Sequence, residues 1–137
     1  MNDTGRCAVR GFTLLELVIV IVVIGILASV AIPGYFVTRE KAIDKDAAVG
    51  LRSIQVGQKA YHYDNYKYYP DPAASSSNTV AINENLSILL DPNANSNWVY
   101  TVKNNGCACA QRRGGTKFFS LNITNDGDPV EGVACGC

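Results

Sequence analysis

The chain has 137 residues, 47% hydrophobic and 18% charged, with twelve basic and twelve acidic side chains and a single histidine. That length leaves room for one modest domain. A formal net charge of zero lacks the basic excess of a general nucleic-acid binder, so no nucleic-acid partner is expected.

Residues 1–11 are short and carry Asp3, Arg6 and Arg10, a net positive charge. Residues 12–33 then read FTLLELVIVIVVIGILASVAIP, with Glu16 as the one charge. About 20 apolar residues suffice to cross a hydrocarbon core. The positive-inside rule places the N-terminus in the cytoplasm and exports the remainder. A cleaved secretory signal has an apolar region of about 7–15 residues ending at a small-residue site. This run is longer and continues Ala31-Ile32-Pro33-Gly34-Tyr35 without an A-x-A site. A plain signal anchor is the simpler rival, but it leaves Glu16 unexplained. A lone carboxylate within an apolar helix costs a few kcal/mol on insertion scales unless it finds a partner. No Lys or Arg lies between Phe12 and Thr38, so the partner must be another chain or a charge created by processing.

The octet Arg10-Gly11-Phe12-Thr13-Leu14-Leu15-Glu16-Leu17, followed by the apolar run and Ala31-Ile32-Pro33, resembles the class III signal of type IV prepilins and type II secretion pseudopilins. The likeness is close over residues 10–34, looser over the helix downstream, and a matter of style in the C-terminal half. It implies that a membrane aspartyl prepilin peptidase cuts between Gly11 and Phe12, and that Phe12 becomes an N-methylated N-terminus. It also implies that the new amine pairs with Glu16 of a neighbouring subunit. Leaving one buried charge alone is far costlier than leaving it paired, so the pair acts as a register device. The partners implied are further copies in a helical filament, the peptidase, an inner-membrane assembly platform and the bacterial inner membrane before assembly. The implied destination is a periplasmic or cell-surface filament, and no cofactor is implied.

Beyond Pro33, Ile43, Ala47, Leu51, Ile54, Gln58 and Tyr61 recur at three- or four-residue steps, between Arg39, Glu40, Lys41, Asp44, Lys45, Asp46, Arg52 and Lys59. This pattern predicts one apolar stripe with a charged back. The helix is expected from residue 12 to about residue 66, roughly 80 Å at about 1.5 Å per residue. Gly25 and Pro33 bracket the part most easily loosened, since one lacks a side chain and the other removes a hydrogen bond. The family resemblance implies that this part unwinds in filaments; an ordinary proline kink is the alternative. Tyr61, His62, Tyr63, Tyr66, Tyr68 and Tyr69 form an aromatic patch, read as a helix end packing its rings on a small sheet. His62 has no companion residues for catalysis or metal binding.

Residues 70–78 read as a loop, and a short helix is expected over residues 85–90. Residues 97–103 and 117–124 alternate as strands, with Trp98, Tyr100 and Val102 on one inner face and Phe119, Leu121 and Ile123 on the other. A third strand is expected near residues 130–135. The expected class is α+β, a long N-terminal helix carrying a small antiparallel sheet on its C-terminal half. The expected layout is a leader over 1–11, an assembly helix over 12–34, an amphipathic helix over 35–69 and a cysteine-rich head over 70–137.

Cys7 falls in the leader. Cys107-x-Cys109 and Cys135-x-Cys137 face an oxidising compartment if exported, so disulfides are expected. Four cysteines allow three connectivities. A tetrathiolate zinc site fits poorly, because its usual spacing is C-x₂₋₄-C. Asp126 and Asp128 are a weak calcium candidate in what reads first as an Asp-Gly turn. Arg112-Arg113-Gly114-Gly115 reads as a solvated basic turn. No nucleophile–base set or metal triad is visible, so no enzyme is expected. The structural reading is a filament subunit, and its rival is a membrane-anchored exported binding domain.

Overall fold

The computed structural model of the chain describes residues 11–93, 96–123 and 127–132. Two units are distinguished, residues 1–40 and residues 41–137. Helix α1 (Leu14–Asn65) begins in the first unit and ends in the second.

Thr13 caps the start of α1. Its hydroxyl accepts the Glu16 N–H at 3.2 Å and its carbonyl accepts the Leu17 N–H at 3.3 Å. Along residues 11–40 the apolar side chains are exposed, Ala28 only partly, and none of the most apolar stretch is buried. That stretch is long and apolar enough to cross a membrane. Its polar side chains are satisfied locally: Ser29 donates to the Ile26 carbonyl at 2.7 Å, and Thr38 to that of Gly34 at 2.9 Å. The helix continues through Gly25 and Pro33 without interruption.

The second unit is built on the stripe expected from the sequence. Ile43, Ala47, Leu51, Ile54 and Gln58 are buried, with Tyr61 partly covered. Over them lies an antiparallel meander of β1 (Ser75–Ser76), β2 (Trp98–Lys103), β3 (Cys107–Arg112), β4 (Phe118–Asn122) and β5 (Val130–Glu131). Trp98, Tyr100 and Val102 are buried, and the residues between them are only half covered. Tyr100 pairs with Ala110, which pairs with Phe119; Val102 pairs with Ala108, which pairs with Leu121. The small alanines of the central strand leave room for the larger rings and branches on either side. Trp98 Nε1 donates to the Ile43 carbonyl at 2.8 Å and the Tyr100 hydroxyl to that of Asp46 at 3.3 Å, which ties β2 to α1. Lys117 donates to Asp44 Oδ2 at 2.6 Å.

Several expectations need correction. The short helix is α2 (Thr79–Leu86), not residues 85–90, because Asn78 is its cap and accepts the Val80 and Ala81 N–H groups at 3.1 and 3.2 Å. Residues 70–78 include β1, which borrows its pairing from Val102 and Lys103. The strand β3 was not foreseen: Cys-Ala-Cys-Ala-Gln-Arg holds no aromatic or β-branched residue, so strand propensity is silent there. Of the strand expected near 130–135, β5 covers two residues, and residues 133–137 lie outside the described ones. The first helix ends where expected, with Tyr66 in the left-handed conformation at φ 58°. Gln58 is not a filler of the apolar stripe. Its amide oxygen accepts the Tyr69 N–H at 2.9 Å and its nitrogen donates to the Tyr69 carbonyl, so it clamps the chain as it leaves the helix.

Gly57 lies against the C-terminal end of α2. A Cβ there would stand 2.8 Å from the Leu86 Cβ and 2.8 Å from its carbonyl oxygen. Gly57→Ala is therefore expected to destabilise by about 1–3 kcal/mol through overpacking. Helix propensity alone would stabilise by about 1 kcal/mol. The urea midpoint of the full chain in detergent decides between the two signs. A second prediction concerns alkali. Burial beside the Asp46 charge pushes the Tyr100 pKa from 10.0 up to about 12. The hydrogen bond to Asp44 raises that of Lys117 above 10.5. Both groups bind protons more tightly when folded, so stability is full below pH 10 and falls as pH rises beyond it. Tyr100→Phe is expected to flatten the fall in urea midpoint between pH 10 and 12; an unchanged slope contradicts this.

Candidate functional site

Two places carry chemistry: the exposed start of α1, and strand β3, whose cysteines are buried. Gly11 and Phe12 precede the helix and are exposed. Glu16 stands in the first turn, also exposed. An acidic side chain there is favoured by the partial positive charge of the helix N-terminus. That benefit is modest, and among the described residues none gives the carboxylate a hydrogen bond or an ion pair. Thr13 was missed in the sequence reading, although Thr-x-x-Glu is the signature of a helix start. It pins Glu16 at the third helical position, one turn from Phe12.

Residues 6–32 match the family described as "Prokaryotic N-terminal methylation motif". The chain is also 35% identical, over 112 residues, to the type IV wide pilus major component PilA4 of Thermus thermophilus, a match that spans 81% of this chain and 79% of that protein. The chain belongs to the type IV pilin family. It is further 37% identical over 59 residues to the type IV major pilin protein PilA of Myxococcus xanthus, and 41% identical over 59 residues to the type II secretion system core protein G of Escherichia coli. These two matches span 27% and 41% of those proteins, less than half of either.

The pilin-family motif and the exposed start of α1 thus coincide on the same residues. Gly25 and Pro33 lie further along the helix, with open space around Gly25 where a Cβ would stand. In the head, Cys107 and Cys109 are both disulfide-bonded and both buried. They lie two apart on β3, on the face away from the alanines that meet α1. Cys135 and Cys137 lie outside the described residues. So does Asp126, while Asp128 forms an ion pair with Arg52. No group of three metal-ligating side chains exists among the described residues.

The basic turn is less idle than expected. Arg112 lies over the Trp98 ring at 5.5 Å, and Arg113 donates through Nε to the Ser96 carbonyl at 3.0 Å. Both arginines thus secure the start of β2, while Arg113, Gly114 and Gly115 stay exposed as the solvated-turn reading expects. His62 stacks on Tyr68 with ring centroids 4.5 Å apart, while Tyr61 and Tyr69 meet edge to face at 5.9 Å. Tyr61, Tyr68 and Tyr69 pack on the core, as expected of the aromatic patch, whereas Tyr63 and Tyr66 are exposed.

Peptide mapping without reductant is expected to find the Cys107 and Cys109 peptides cross-linked in exported protein. Reduction is expected to lower stability by about 2–5 kcal/mol per bridge, read as a fall in urea midpoint. Quantitative alkylation of both thiols in native protein contradicts this.

Proposed function

We propose that this chain is a subunit of the body of a type IV pilus, processed at Gly11–Phe12 and polymerised through the N-terminal part of α1. The observation that carries the reading is a motif-bearing helix that exposes its apolar side chains along residues 12–37 and holds at its start a carboxylate, Glu16, without a partner among the described residues. A membrane-anchored monomer uses the apolar run but gains nothing from Glu16. In the proposed reaction sequence a prepilin peptidase removes residues 1–11 and Phe12 is N-methylated. The chain waits in the inner membrane with its N-terminus cytoplasmic. The Phe12 amine of one copy then pairs with Glu16 of another as the copies pack. Gly25 and Pro33 supply the place where the helix loosens to fit that packing.

A pilus subunit is favoured over a secretion pseudopilin because the match to the Thermus wide-pilus component extends over most of both chains. The match to core protein G spans less than half of either. The family's proteins named above are pilins and secretion components, which supports a structural role rather than catalysis. A membrane-anchored exported binding domain would need neither the Gly11-Phe12 junction nor Glu16.

Mass analysis of the native chain is expected to show an N-terminus at methylated Phe12. Glu16→Leu should leave insertion and processing intact, because it removes the one charge that the membrane resists. Filament formation should collapse, since an unpaired buried amine costs several kcal/mol. The readout is the ratio of sheared filaments to processed membrane pool. Normal filament yield from Glu16→Leu would falsify the pairing; an intact Met1 would overturn the family mechanism as a whole.

A further inference from the structure

Within the second unit, α1 has two apolar faces. One is buried under the sheet. On the opposite side Ala42, Val49, Val56 and Tyr63 recur every seven residues and are all exposed, Val49 at 63% and Val56 at 68%. Lys45, Arg52 and Lys59 run beside them at the same step. An apolar row repeating every seven residues with charged flanks is the pattern of a helix that packs against another helix. Water alone would not favour it. In sequence the same step continues backward through Tyr35, Ala28, Ile21 and Leu14.

The row has a built edge. Val49, Arg52, Ser53 and Val56 line a shallow groove whose other wall is Ile88 and Leu89, and Leu89 is 96% exposed. This loop is held in place. The Asn83 side chain accepts the Leu90 N–H and donates to the Leu90 carbonyl, both at 2.8 Å. Ser87 closes α2 in the left-handed conformation, and the Ile88 N–H bonds to the Asn83 carbonyl at 3.2 Å. Two side-chain hydrogen bonds thus fix a leucine in the solvent, at the rim of an apolar groove. A contiguous exposed apolar patch of this kind marks an interaction surface.

We propose that the groove between Val49, Val56 and Leu89 seats the apolar N-terminal helix, within residues 12–37, of a second copy. This rests on the filament reading above and deepens it by assigning the head's share of the contact. The occupant is argued from the chain itself. Among the described residues, 12–37 hold most of the exposed large apolar side chains, and they are helical from Leu14 onward. Apolar surface in both partners selects this apolar helix over a polar or charged ligand.

The test places a photo-crosslinking benzoylphenylalanine at position 89 of the full chain. In sheared filaments, irradiation is expected to yield covalent multimers, with the link mapped by mass spectrometry to residues 12–37 of another copy. In processed but unassembled membrane protein this link is expected to be absent. Links to lipid, to an unrelated protein or to another head, in filaments of normal yield, overturn the proposal while leaving the filament reading intact. A wild-type chain that is processed but never forms filaments overturns both. As a second arm, Leu89→Asp is expected to lower the filament-to-pool ratio about tenfold with the urea midpoint unchanged. An unchanged ratio counts against the groove.

Discussion

The apolar side chains of residues 12–37 are as well accommodated by lipid as by a filament core, because lipid tails are as apolar as leucine. Their burial therefore does not choose between membrane and filament. The carboxylate of Glu16 does. In lipid it has only water defects or the headgroup region for company, and insertion scales put its penalty at a few kcal/mol. In the filament proposed above, its partner is the Phe12 amine of another copy, itself costly to bury alone. On that proposal the gain from bringing the two together comes only on assembly, which is what a step from one apolar medium to another requires. Thr13 holds Glu16 one turn into the helix, so the carboxylate sits at a fixed height relative to Phe12. A fixed height is what lets one pair set the register between whole helices.

The second unit has a different task and a different physics. It must be stable in water with a small core, and it achieves this by laying a sheet on a helix that already exists. Large groups sit on β2 and β4 and alanines on β3 between them, so the sheet fits closely on α1. Polar side chains then fasten the joints: Trp98 and Tyr100 to helix carbonyls, Lys117 to Asp44, Gln58 to the returning chain at Tyr69. The cysteines of β3 add covalent ties on the far face. The bonds of Trp98, Tyr100 and Lys117 join α1 to segments distant in sequence, which suits a domain founded on one helix.

Much of this was legible in the sequence, and the reasons differ by element. The apolar run and Glu16 are visible because composition alone separates them from the rest. The buried stripe from Ile43 to Gln58 is visible because a helix repeats every 3.6 residues and the stripe keeps that step over several turns. Strands β2 and β4 announce themselves through Trp98, Tyr100, Phe119 and Leu121. Strand β3 does not, because its inward positions are alanines chosen for space rather than for strand propensity. Nor was α2 placed correctly, since Asn78, Asn83 and Asn85 are all plausible caps and only tertiary packing shows that Asn83 serves the Leu90 loop instead. The outer row of Val49 and Val56 was hidden among charges; a reading that expects one apolar face stops counting once it has found it. Thr13 could have been found, since its spacing to Glu16 is a known helix-start pattern.

The most direct test of the account is an electron cryomicroscopy reconstruction of the assembled filament at side-chain resolution. The account predicts the amine of Phe12 from one copy within about 4 Å of the Glu16 carboxylate of another, inside a core formed by residues 12–37. A filament in which Glu16 faces water, lipid or a cation from elsewhere, with the Phe12 amine unpaired, contradicts it.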